Sequence, residues 1–258
     1  MTENSPALPP PNPPPDPWVG LRAFTAARIA LGRTGTSVPL REALAFRLAH
    51  AHARDAVYSE LETGRLLAEL SALQLPVCHV KSQADNRQIY LRRPDLGRKL
   101  RDESRLELQE MAPAAADIAI ILADGLSATA LNQHAVPLLQ LLLPRLRQAG
   151  CSLAPLVLAE QARVALSDEI GAVLHARLAL ILLGERPGLS APDSLGAYFT
   201  YAPHPGLTDE ARNCVSNIRP EGLGYAAAAE KLFLLVQEAL RRQLSGVALK
   251  DETGLLEE

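Results

Sequence analysis

Four short stretches of the chain are almost continuously apolar: "DIAIILADG" (117–125), "LAPLVLA" (153–159), "LALILLG" (178–184) and "GAYFTYA" (196–202). Runs of this length, rich in branched residues and closed by Gly or polar residues, predict strands buried on both faces. Helical patterns separate them. "SATALNQHAVPLLQLLLPRLRQAG" ends at Gly150, "SDEIGAVLHA" offers Ser167 as an N-cap, and "GYAAAAEKLFLLVQEALRRQLSG" closes at Gly246. Strands alternating with helices predict an α/β fold, a Rossmann-like wound parallel sheet with helices on both faces.

Upstream the rhythm is helical from Trp18 to about Gln74. Leu21, Phe24, Ile29 and Leu31 follow a helical period, and Pro39 opens a long Ala-rich helix at a natural first-turn position. His50 and His52 lie two apart on it, so they point to different faces and make no metal pair. Residues 1–17 read MTENSPALPPPNPPPDP, which predicts an extended, disordered leader. The expected organisation is therefore 1–17 proline-rich tail, 18–110 helical region with a polar loop, and 111–258 wound α/β domain.

The polar loop is "LPVCHVKSQADNRQIYLRRPDLGRKL" (75–100), where Lys81, Asp85, Arg87, Arg92, Arg93, Asp95 and Arg98 crowd around Tyr90 and Pro94. Two readings stay open for it: a strand followed by a solvated basic loop, or a surface for a fixed partner or an anionic ligand.

Composition narrows the class. The 258 residues are 48% hydrophobic with net charge −3, enough apolar mass for a real core and no basic excess for nucleic acid. The three cysteines, Cys78, Cys151 and Cys214, form no CxxC pair, so reduced thiols and no zinc site are expected. No run is long enough to span a bilayer and no signal-peptide pattern opens the chain, so a soluble cytoplasmic protein is expected.

In a wound sheet, ligands sit beyond the carboxyl ends of the strands. Those ends are "ADGLSAT", "AEQARV" and "GERPG". The usual labels are missing: no G-x-G-x-x-G, no P-loop, no Gly-x-Ser-x-Gly elbow, and no D-x-H-x-x-G of the kind that offers histidine to cobalt. Glu185 in the GERPG turn is ambiguous from residues alone. It could serve a ligand, pair with Arg186 or cap a helix, and turn charges are usually structural.

The segments "DIAIILADGLSATALNQHA", "ALILLGERPGLSAPDSLGAYFTYAP" and "ARNCVSNIRPEGLGYAAAAEKLFLL", together with the polar loop, resemble the small (light) subunit of ethanolamine ammonia-lyase. The ordered set ADGLSATA, GERPG-x-x-x-x-(D/E)-SL and C-x-SNI carries the resemblance, from about Trp18 to Lys250. It implies a subunit of an adenosylcobalamin-dependent lyase of ethanolamine degradation, inactive alone. The partner would be a large TIM-barrel subunit, with cobalamin at the interface of the hetero-oligomer. It also implies three cofactor contacts: Val164, Glu185 and Cys214, with no catalytic residue and no metal ligand on this chain. Family members often begin with a helical leader linked to packing into a bacterial microcompartment, whereas this chain begins with proline-rich sequence. Two rivals from other classes remain, a self-sufficient nucleotide-dependent enzyme and a non-catalytic scaffold subunit.

Overall fold

The structure, a computed structural model, describes residues 16–250; the expected tail lies outside them except for Asp16 and Pro17. The described residues divide into two compact units, one up to Ala51 and one from His52. Within the first, the expected helix through Leu21 and Leu31 is limited to a 3-10 turn, Val19–Phe24. Leu21 and Phe24 are exposed there, so no buried face backs a longer helix. Helix α1, Leu40–Tyr58, begins just after Pro39.

In the second unit, α2 (Thr63–Ser71) leads into β1 (Val77–Lys81), α3 (Arg87–Arg92), α4 (Asp102–Glu110) and β2 (Ala116–Ala123). Then follow α5 (Ala128–Gln148), β3 (Leu156–Glu160), α6 (Leu166–Val173), β4 (Ala176–Gly184), β5 (Leu195–Tyr201), β6 (Asn213–Ile218) and α7 (Tyr225–Arg242). The sheet has six strands in the order β1-β3-β2-β4-β5-β6.

The sheet is mixed, which corrects the expectation of a wholly parallel one. The first four strands in that order pair parallel, while β4/β5 and β5/β6 pair antiparallel. The cause is the connection. Only Glu185 to Ser194 join β4 to β5, and a parallel return needs a crossover of a dozen or more residues. The terminal signals also shift. Ser167 lies inside the first turn of α6 with its hydroxyl on the Val164 carbonyl, and α7 ends at left-handed Gln243 rather than Gly246.

Alternate residues of the central strands feed two cores. Ile118, Ile120, Leu178, Leu180 and Leu182 face α2, α5 and α7, while Ile121, Ala123, Val157, Ile181 and Leu183 face α4 and α6. Because β2 connects back to β3 through α5 while β4 runs on to β5, the strand order reverses between β2 and β4.

At the carboxyl ends, β2 and β4 meet more closely than side chains allow. A Cβ on Gly125 would collide with the Gly184 carbonyl oxygen, and one on Gly184 with the Ser127 carbonyl oxygen. Gly125 also sits at φ 56°, a left-handed conformation that suits glycine. The backbone seals this contact through the Leu126 N–H, which donates to the Gly184 carbonyl at 2.8 Å. Ser127 caps α5 by accepting from Ala130 N–H, and donates to the Pro192 carbonyl at 3.0 Å. Gly125→Ala combines overpacking with a strained φ and should destabilise the chain by about 3 kcal/mol in urea unfolding. An effect under about 1 kcal/mol would show that the two strand ends can separate freely.

Candidate functional site

Glu185 follows β4 directly, and its position is fixed by three bonds. Its N–H donates to the Ser194 carbonyl at 2.9 Å. Its Oε2 accepts a short bond from the Ser194 hydroxyl and another from the Asn217 N–H at 3.2 Å. Thus the GERPG turn is tied to the start of β5 and to β6. The Oε1 oxygen accepts from no donor among the described residues, and the side chain is half-buried. Pairing with Arg186 and helix capping, the two structural alternatives, are not what holds it.

The floor beneath the carboxylate is Gly196, opposite Leu183 in the sheet. A Cβ there would lie 2.9 Å from Glu185 Cγ, from Oε1 and from Tyr198 Cε2. One row further in, Ile181, Tyr198 and Cys214 stand side by side across β4, β5 and β6. Cys214 is exposed, but burial around its sulphur pushes the thiol up, against a lowering hydrogen bond from Tyr198. A thiol raised in this way stays neutral near pH 7 and behaves as a small apolar lining. Burial likewise pushes the Tyr198 hydroxyl up, with Cys214 adding to it. Asn217 adopts φ 58°, where the β5/β6 register slips, and this irregularity brings its N–H to Glu185.

Val164 lies on the loop after β3 and packs, half-buried, against the same core face as Tyr198. Its carbonyl accepts from the Ser167 N–H at 3.0 Å and the Ser167 hydroxyl at 2.7 Å. Its N–H has no acceptor among the described residues. The structure therefore places Glu185 and Cys214 in one cluster on the β4–β6 end. Val164 sits on a different loop and shares their face of the sheet. Sequence reasoning missed Ser194, Gly196, Tyr198 and Asn217. Ser194 and Asn217 stood inside the DSL and C-x-SNI segments, where their signal was available.

The gap between the carboxyl ends of β2 and β3 is filled by Asp124. The residue is 2% exposed, and its two oxygens accept from Gln161 N–H at 2.9 Å and Ala162 N–H at 3.1 Å. Burial pushes the carboxyl up to about 6, opposed by those bonds and by the Arg87 guanidinium, whose Nη1 is 3.9 Å away. A separate groove of about 740 Å³ includes Asp95, Arg98, Arg105, Asp168, Asp209 and Arg212 in its lining, and none of Val164, Glu185 or Cys214. Charges in its lining are already paired, the buried Arg212 with Asp168 at 2.6 Å and the part-exposed Arg105 with Glu169. Among the described residues no group of His, Cys, Asp and Glu is placed to hold a metal ion.

These features define an α/β chain whose strand ends present an open surface, with neutral small linings, one spare carboxylate oxygen and one spare main-chain donor. The sequence pattern of the ethanolamine ammonia-lyase light chain (EutC) family matches residues 15–250, and the chain belongs to that family. It is 54% identical to the ethanolamine ammonia-lyase small subunit of Azotobacter vinelandii, over 98% of this chain and 92% of that one. It is 55% identical to the subunit of the same name from Ralstonia nicotianae, over 94% and 92% of the two chains. No helix among the described residues is long and apolar enough to cross a membrane.

The Asp124 carboxyl supplies a pH prediction. A raised pKa means that the folded chain binds this proton more tightly than the unfolded one. The group's contribution is therefore best below its unfolded value of 3.8 and is lost as pH rises through about 6. Between about pH 4 and pH 7, the stability of the natural chain relative to Asp124→Asn should fall by about 2 kcal/mol. Urea unfolding across that range checks it. A relative stability that rises with pH would mean that the backbone donors outweigh burial.

Proposed function

We propose that this chain works as the small subunit of an adenosylcobalamin-dependent ethanolamine ammonia-lyase. In this reading it covers the cofactor at the interface with a large TIM-barrel subunit, where ethanolamine is converted to acetaldehyde and ammonia. Adenosylcobalamin, when bound, supplies the radical chemistry of that conversion. This chain supplies binding, through Val164, Glu185 and Cys214, and the exclusion of water from one side. Residues 111–258 carry the cofactor-covering surface, and the preceding region faces the partner with its exposed arginines. The cytoplasm is the proposed location, with a microcompartment as the alternative.

The donor set suits such a ligand. A corrin edge carries amide arms that both donate and accept hydrogen bonds around an apolar ring. Glu185 Oε1 is the spare acceptor, Val164 N–H the spare donor, and Cys214 and Tyr198 the uncharged lining. The single observation that carries the reading is the divided duty of Glu185. One oxygen holds β5 and β6 together and the other is left for something outside the chain. The nucleotide-enzyme rival has no support at the switch point, because the Gly125–Gly184 approach closes β2 against β4 there and Asp124 beside it would repel phosphate.

Glu185→Gln tests this directly, since Gln can keep an oxygen toward Ser194 and Asn217 while presenting a donor outward. Cobalamin affinity of the assembled complex should fall about tenfold, the loss of one bond to a charged acceptor. The melting temperature of the cofactor-free chain should change little. Unchanged affinity together with a lowered melting temperature would assign the carboxylate to the fold alone.

A further inference from the structure

We propose that Tyr90, held under the guanidiniums of Arg87 and Arg163 and backed by Gly97, is a positioning residue that presets the 161–164 loop for cofactor binding. The inference rests on the reading of Val164 as a cofactor contact and adds residues that do not themselves touch the cofactor.

Tyr90 is fully buried although it lies in the polar block. The Arg163 guanidinium carbon is 4.0 Å from its ring centroid and that of Arg87 is 4.8 Å away. Stacking of this kind fixes a planar cation more firmly than a surface ion pair does. Each cation donates to main-chain carbonyls, although Arg87 Nη2 and Arg163 Nε are buried without a partner among the described residues. Arg87 reaches Val57 and Gly125, each at 2.6 Å, and Arg163 reaches Tyr90 at 3.0 Å. Of the arginines in the polar block, Arg87 is thus a fastener between loops, while Arg92, Arg93 and Arg98 stay exposed.

Apart from the bonds of Arg87, the bonds around Tyr90 and its two cations converge on the same short segment. The Tyr90 hydroxyl donates to the Ala162 carbonyl at 3.2 Å, and the Ser82 hydroxyl to the Gln161 carbonyl at 2.8 Å. Arg163 N–H donates to the Gly97 carbonyl at 2.8 Å. Asp124 receives the Gln161 and Ala162 N–H groups from the opposite side. Gln161 sits at φ 53°, a conformation that a non-glycine residue keeps only when its surroundings impose it. Gly97 is pressed into the bundle, since a Cβ would lie 3.0 Å from Arg163 Cγ and 3.1 Å from both the Gln161 carbonyl oxygen and Tyr90 Cδ2. The next residue after this fastened stretch is Val164, with its N–H unspent. A loop held so completely pays no ordering cost when a ligand arrives.

The experiment uses the assembled complex with Tyr90→Leu, Tyr90→Phe and Gly97→Ala. Two quantities are read: amide hydrogen exchange over 161–165 and the affinity for adenosylcobalamin, with kcat at saturating cofactor as a control. In Tyr90→Leu and Gly97→Ala, exchange over 161–165 should quicken and cofactor affinity should fall about tenfold, because the loop must now be ordered on binding. kcat at saturation and KM for ethanolamine should stay within about twofold of the natural complex, as expected for a change in binding alone. Tyr90→Phe keeps the stacked ring and should retain most of the affinity. If Tyr90→Leu does not fold, Gly97→Ala gives the same pair of readings. Quickened exchange with unchanged affinity overturns the proposal by removing Val164 from the cofactor site. Reduced affinity with unaltered exchange overturns the positioning role and leaves the Val164 reading standing.

Discussion

The close approach of Gly125 and Gly184 governs what the rest of the strand ends can do. Neither position has room for a Cβ, because each glycine faces main-chain carbonyl atoms of the other strand's loop. This contact sets the exit of β4, and with it the place where Glu185 leaves the sheet. From that exit Glu185 can reach Ser194 and Asn217 only because β5 and β6 fold back antiparallel beside it. Two of the motifs that distinguish the sequence, the turn after β4 and the C-x-SNI segment, are therefore two halves of one hydrogen-bonded arrangement.

Charge in this chain is mostly spent internally. Asp124 serves two backbone donors, Arg87 and Arg163 serve carbonyls, and Arg212 and Asp168 neutralise one another in the core. Among the described residues, two unspent groups lie on loops at the same face of the sheet, one oxygen of Glu185 and the N–H of Val164. A bulky, largely uncharged ligand with peripheral amides matches such sparse polarity better than a phosphate does. It also matches a surface without deep walls, since such a ligand would be enclosed by the partner subunit from its other side.

Much of this was legible in the sequence. The buried strands β2, β3 and β4 announce themselves as apolar runs, and the placement of Val164 and Glu185 after β3 and β4 follows from strand order alone. The antiparallel edge was readable too, since the ten residues from Glu185 to Ser194 leave no space for a crossover. Strand β6 was not, because "NCVSNI" is an edge strand with only Val215 and Ile218 buried and a slipped register at Asn217. The polar block was ambiguous for a different reason. Composition cannot distinguish arginines that await an anion from arginines whose donors end on carbonyls of loops far away in sequence.

Hydrogen exchange of the assembled complex, with and without adenosylcobalamin, tests the central claim most directly. The cofactor should slow exchange at the Val164 amide, whose N–H has no acceptor among the described residues, and over the segments around Glu185 and Cys214. No change is expected along the groove between Asp95 and Arg212. Slowed exchange in that groove, with the Val164 amide unaffected, would contradict this claim.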